Sequence, residues 1–197
     1  DTGQPRSSTL RDVEQASRIQ DALGNCHTAS NLVVATDVPP SLLVVKTLET
    51  MIKNTTKCVP GYALRVPEVE VLQEMGECVA GGAEAFRKRP IFTLYGSPSS
   101  PLTYVAHVCD VMIRAVEAGI PVDIVPCPIG GGTAPLTLAG GLTQQNAELL
   151  AGVMLLQTVD PTLPSQYSGR LSFLDLRSGK NLWGVPELAL AYAATGQ

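Results

Sequence analysis

The stretch PCPIGGGTAPLTLAGGLTQQNAELLAG, residues 126–152 of 197, is where the composition of this chain most invites a chemical role. Three consecutive glycines and a second pair at Gly140–Gly141 strip side chains from a path that Pro126, Pro128 and Pro135 stiffen. Such backbone lets a bulky ligand come close. A phosphate cradle is the alternative chemistry. Gly130–Gly132 does not extend to GxGxxG, however, because Pro135 stands where the third glycine would fall, and no GxxxxGK[ST] is present. A second loop of small residues, YGSPSSPLTY at 95–104, has the same character. Metal chemistry finds less support. His27 and His107 are the only histidines, NCH at 25–27 lacks a third ligand, and none of the five cysteines forms CxxC. The thiols read as reduced and mostly buried, and no bound metal is expected.

Loops of this kind need strands and helices to hold them. Apolar runs at 31–36, 90–96 and 122–128 read as strands covered on both faces, with weaker candidates at 57–63 and 165–169. Helical patterns fill the intervals: 8–23 closed by Gly24, 41–54, 67–89 with a bend or split at Gly81–Gly82, 103–117 ended by Gly119, and 143–158. Residues 128–142 would then be one long connection. Strands recur at the spacing of strand–helix units, about four or five in number. The fold class is therefore α/β with parallel strands, either an open doubly wound sheet or a partial (β/α)8 TIM barrel. A chain that begins without Met and ends inside a helical pattern favours the barrel. The expectation is a single domain over 1–197, an internal fragment of a larger barrel.

Composition narrows the partners. The chain is 45% hydrophobic and 16% charged with formal net charge −4, and its Lys and Arg are scattered singly, which argues against nucleic acid. No apolar run reaches the roughly 18 residues a membrane helix needs, and no signal peptide is visible, so a cytoplasmic location is expected. Self-association into a homo-oligomer is left open.

Several linked segments carry a resemblance. PIGGGTAPLTLAGG leads into an Asn146–Glu148 NAE helix, and LDLRSG, with Asp175 to Gly179, leads into the GVPE helix at Gly184–Glu187. This succession resembles the trimethylamine–corrinoid protein methyltransferases, most closely over 122–194 and more weakly over STLRDVEQASRIQDAL and TDVPP. SQYSGRLSFLD departs from the pattern in lacking the more apolar strand usual at that place. The resemblance implies a (β/α)8 barrel about twice this length or more. It also implies transfer of a methyl group from a tertiary or quaternary amine, trimethylamine or a betaine, to a corrinoid (cobalamin) carried by a partner protein. Some members of the family contain pyrrolysine and others do not, and the position concerned should lie beyond Gln197.

Such a reaction asks the site to hold a cation, exclude water and aim one methyl group; a methyl group on a quaternary ammonium departs from a neutral amine that needs no acid. Aromatic faces bind ammonium groups. Of nine aromatics, Tyr95 and Tyr167 at strand ends and Trp183 are the expected contacts, with Tyr104 and Phe173 nearby. Asp175 and Arg177 could pair with each other or face a betaine carboxylate. Gly130, Gly131, Gly132, Thr133 and Thr137 would form the corrinoid-facing loop. Glu148 and Glu187 suit helix first turns, and no residue is assigned a catalytic role. The competing class is a non-catalytic small-molecule binding α/β domain.

Overall fold

The computed structural model describes residues 3–196, and the chain folds in two compact units. The first takes the chain as far as Leu94 together with residues 118–120, and the second takes the rest.

In the first unit, α1 (Leu10–Ala22) starts with a capping box in which the Thr9 hydroxyl and the Asp12 carboxylate satisfy each other's backbone N–H groups. Its buried side packs on α2 (Leu43–Asn54), where Val44, Leu48 and Met51 form the apolar stripe. Lys57 Nζ donates to the carbonyls of Gln20 at 2.6 Å and Leu23 at 2.7 Å, placing a cation on the open end of α1. β1 (Val59–Gly61), α3 (Val66–Ala80), α4 (Ala83–Lys88) and β2 (Phe92–Gly96) follow. The helical pattern expected over 67–89 divides at Gly81 and Gly82, whose φ angles of +86° and +132° a side chain would resist. β1 pairs parallel with β2, Val59 opposite Phe92. The helices cover one face of the pair: Phe92 meets Phe86 of α4 with centroids 5.3 Å apart, and Gly61 adjoins Leu48 of α2.

The strand expected at 31–36 does not form. Ala29 N–H donates to Cys58 at 3.0 Å, but by Thr36 the donor bonds Ser8 instead, at 2.9 Å. With its backbone partners drawn to the start of α1, the segment bends, and Leu32 and Val34 are exposed.

The second unit contains α5 (Ala106–Glu117), β3 (Val122–Ile124), β4 (Ile129–Gly130), α6 (Leu138–Val159), β5 (Ser165–Tyr167), β6 (Ser172–Leu174), β7 (Asn181–Leu182) and α7 (Pro186–Thr195). β3 runs parallel to β5 and β4 to β6. One register joins both pairs: residue n faces n + 43 from Val122–Ser165 through Gly130–Phe173. Between them Arg170 N–H donates to Pro126 and Ser172 N–H to Pro128, each at 3.0 Å. The two short strand pairs are thus one parallel ladder, thinned where Pro126 and Pro128 lack an N–H. β7 closes it as an antiparallel edge on β6.

α6 starts at Leu138, five residues before its expected start, because Thr137 caps it by accepting the Gly140 N–H at 3.3 Å. Gly140 and Gly141 are therefore helical, packed where a Cβ would meet Pro135 and Leu171. Leu171, Phe173 and Ala191 form a core with Leu138, Leu142 and Val185.

Strands β1, β2, β3 and β5 form one sheet in that order, alternating with helices along the chain. An order that never reverses is what consecutive units of a barrel give, whereas a doubly wound sheet reverses at its switch point. The fold is α/β, of the partial (β/α)8 type expected.

Gly76 of α3 lies where a Cβ would come within 2.6 Å of the Phe86 ring and 2.9 Å of Phe92, both fully buried. Gly76→Val should destabilise the first unit by about 2 kcal/mol, the cost of overpacking a filled core, read from the urea midpoint at unchanged m-value.

Candidate functional site

Side chains alternate across a strand, so the register above sorts the second unit into two faces. Val122 adjoins Gly96, and Gly96 adjoins Met112 of α5; Ile124 adjoins Gly152 of α6, and Leu171 adjoins Gly141. That is the helix face. Asp123, Val125 and Cys127 point the other way, as do their ladder partners Gln166, Ser168 and Arg170. Tyr95, one residue before Gly96, belongs to the same side. The geometry agrees: the Arg170 guanidinium lies over the Tyr95 ring, 5.6 Å from its centroid. Cys127 is the direct lateral neighbour of Arg170. Partial burial pushes its thiol pKa up, with the Arg170 charge opposing and the Glu148 charge adding. Tyr95 is the last residue but one of β2, and Cys127 and Arg170 lie three residues past the ends of β3 and β5, on the carboxyl side where folds of this class place ligands.

The loops around this face are tied to one turn of α6. Glu148, 1% exposed, accepts from Ser100 Oγ at 2.7 Å, from the Leu102 N–H at 2.9 Å and from Gln144 Nε2 at 2.8 Å. Gln144 also donates to the Thr133 carbonyl at 2.8 Å. Buried Gln145 accepts the Leu171 N–H at 2.8 Å and donates to Thr195 Oγ1 at 2.9 Å, crossing a strand position that only Gly169 leaves open. Asn146 accepts the Tyr167 hydroxyl at 2.8 Å. Tyr104 donates to the Glu148 carbonyl at 2.8 Å, and burial, then the Glu148 charge, raises its phenol to about 12. Leu102 has φ +50°, a left-handed conformation unusual for leucine that its bond to Glu148 holds in place.

Of the residues expected from the sequence, Tyr95 reaches the Arg170 face. Tyr167 sits on the helix face, bonded to Asn146. Asp175 holds the turn between β6 and β7, accepting the Arg177 N–H at 3.0 Å and the Ser178 hydroxyl, so its tie to Arg177 runs through backbone; Asp175 is half-buried and Arg177 exposed. Trp183 is 59% exposed beyond β7. In the glycine loop, a Cβ on Gly130 would strike the Phe173 ring at 2.8 Å, and Gly131 turns the chain at φ +84°. Thr133 Oγ1 accepts the Ile129 N–H at 3.0 Å, and Thr137 caps α6. Gly132 alone of the triplet is exposed and unconfined, with ordinary contact to Ile129. Arg170, Cys127 and the anchoring by Gln144–Glu148 escaped sequence reading. Alternation from Tyr167 would have set Arg170 on the opposite face, inside the segment that departed from the family pattern. Among the described residues no group of three His, Cys, Asp or Glu converges to hold a metal, and no helix is long and apolar enough to cross a membrane.

Comparison with known proteins bears on this face. The model of the trimethylamine methyltransferase (MTTB) family matches residues 1–197. Trimethylamine methyltransferase MttB of Desulfitobacterium hafniense (strain DSM 10664 / DCB-2) is 32% identical over 196 residues, covering all of this chain and 40% of that protein. Glycine betaine methyltransferase of Desulfitobacterium hafniense (strain Y51) is also 32% identical over 196 residues, with 99% and 41% covered. Trimethylamine methyltransferase MttB of Methanosarcina barkeri is 36% identical over 130 residues, 66% of this chain and 26% of that protein. The chain thus spans about two fifths of the length of the first two relatives.

Two outcomes follow from the anchoring. Glu148→Gln keeps one acceptor for Leu102 and Gln144 and should cost about 1 kcal/mol, whereas Glu148→Ala strands three donors and should cost about 2–4 kcal/mol; amide exchange at Leu102 should accelerate more in the Ala variant. For Tyr104 the sign runs with a raised pKa: stability is intact below the unfolded value near 10 and falls as pH rises towards about 12. Tyr104→Phe should remove a tyrosinate absorbance component titrating near 12.

Proposed function

The chain belongs to the trimethylamine methyltransferase family, and from that premise we propose that it forms part of a (β/α)8 barrel moving a methyl group from a tertiary or quaternary amine to a corrinoid protein. Its 197 residues act in this reading as one piece of that barrel, with the amine and the corrinoid protein meeting at the carboxyl ends of the strands. The observation that carries the reading is the placement of Tyr95, Cys127 and Arg170 together on the face of β2, β3 and β5 that the helices leave open, in a chain matched to the family from end to end.

In the reaction the nitrogen–methyl bond breaks with its electron pair staying on nitrogen, while the electron pair of Co(I) forms the new bond to carbon. A quaternary ammonium leaves as a neutral amine with no protein acid. A tertiary amine does so when it reacts as its protonated ammonium ion, which keeps that proton on the departing secondary amine. The residues bind, orient and keep water out. Tyr95 contributes an aromatic wall and Cys127 an uncharged one. Glu148, through Ser100 and Leu102, sets the loop beyond Tyr95. Gly131 to Thr133 present the low, side-chain-poor surface that a partner protein carrying a broad macrocycle would approach, while Gly130 serves the packing of Phe173.

The full-length parent, mixed with its corrinoid protein reduced to Co(I) and a panel of methylated amines, should convert the cobalt absorbance to that of methyl–cobalt with at least one amine. Tyr95→Ala removes the ring that positions Arg170 and should lower kcat/KM for that amine by up to about tenfold. Silence across the panel with verified Co(I) would favour a binding domain without catalysis.

A further inference from the structure

The two full-span relatives are equally similar to this chain, and their names differ in one chemical respect: one names a simple amine, the other an amine bearing a carboxylate. The open face of the second unit carries a group that responds to that difference. Arg170 extends from the ladder at the carboxyl end of β5, its backbone N–H fixed on the Pro126 carbonyl at 3.0 Å. The residue is exposed, its guanidinium carbon lies over the Tyr95 ring 5.6 Å from the centroid and, among the described residues, it has no carboxylate in ion-pair range. Of the side chains aligned with it on the same face, its neighbour Cys127 and the nearer Ser168 and Gln166 carry no carboxylate, and the one acid, Asp123, lies buried at the level of Gln166, four residues back along the ladder.

This arrangement changes what the Tyr95 ring can do. An ammonium ion seeking its face finds a permanent positive charge already there, and a second cation within a few ångströms is repelled. A carboxylate finds the reverse. A contact of 5.6 Å with the ring leaves the guanidinium room to offer paired N–H donors to both oxygens of a carboxylate, a geometry lysine does not reproduce. We propose that Arg170, held against Tyr95 by a cation–π contact, is the specificity residue of this site and selects a zwitterionic substrate, a methylated ammonium carrying a carboxylate, over trimethylamine. The proposal rests on the methyl-transfer reading above. In this arrangement the carboxylate end is held at Arg170 and the methylated nitrogen projects away from the guanidinium towards the methyl acceptor.

The test uses the full-length parent with its Co(I) corrinoid protein, and glycine betaine, trimethylamine and tetramethylammonium as probes, in calorimetric binding and in methyl transfer. Glycine betaine should bind and react best. Arg170→Gln should weaken glycine betaine binding about 10- to 100-fold, the loss of a bidentate charge-assisted pair, while tetramethylammonium binding stays the same or tightens. Arg170→Lys should fall between. Thermal melts of both variants beside the parent protein separate a loss of fold from a loss of binding, and the proposal expects the melts to match. Methyl transfer from trimethylamine with none from glycine betaine, or equal binding of glycine betaine to parent and Arg170→Gln, overturns the proposal and leaves the methyl-transfer reading standing. Absence of methyl transfer from every probe overturns both.

Discussion

The second unit depends on a buried carboxylate without a cation. Glu148 is almost fully removed from solvent, and the groups that compensate it are a hydroxyl, a backbone N–H and an amide. An ionised carboxylate withdrawn from water costs several kcal/mol unless donors replace its hydration. Two of its three donors come from the loop beyond β2, so helix and loop each need the other: without the loop the charge is unsatisfied, and without the charge Leu102 has little to keep it at φ +50°. Neighbouring Gln144, Gln145 and Asn146 repeat the scheme on other segments. A single helical turn therefore sets the positions of loops that are far apart in sequence. Such a device suits a site built on strand ends, where the scaffold is rigid and loops must be made so.

The second constraint is register. A one-residue slip between the strands at 122–130 and 165–173 would exchange the faces, sending Leu171 and Phe173 outward and Arg170 into the core beneath α6 and α7. Pro126 and Pro128 make the ladder one-directional over its middle: they accept from Arg170 and Ser172 but donate nothing. The lost bonds weaken the pairing there, and the apolar face pins it instead. Core packing of Leu171 and Phe173 and presentation of Arg170 are consequences of the same alternation.

Much of the scaffold was legible because it is written in local signals. The glycine pair that ends α3, the stripes of α2 and α5, and the apolar runs of β2 and β3 survive folding unchanged. The failures share a cause, a partner distant in sequence. Leu32 and Val34 lie in an apolar run, but their neighbours' hydrogen bonds go to Ser8 and no ladder forms. Gly140 and Gly141 look like loop until Pro135 and Leu171 are seen to fill the space that side chains would need. At the site, type and chain position suggested Tyr95 and Tyr167 alike. Alternation separates them, since Tyr167 shares the face of Ile124, while Tyr95 shares that of Arg170. Asp175 and Arg177 have the look of a charged pair, but the carboxylate is consumed by the turn it builds.

The contact with Tyr95 also decides how well Arg170 can discriminate. A free arginine side chain loses about 2 kcal/mol of rotamer entropy when fully ordered, a sum comparable to the gain from a solvent-exposed ion pair, which is why isolated surface pairs contribute so little. Contact with an aromatic face returns about 0.5–1 kcal/mol at an exposed position, and the tether of Arg170 to Pro126 removes backbone freedom as well. Part of the ordering cost is thus met before any ligand arrives, leaving more of the guanidinium–carboxylate attraction to appear as affinity. Tyr95 accordingly serves the site better as the surface that holds a cation of the protein than as the surface that receives a cation of the substrate.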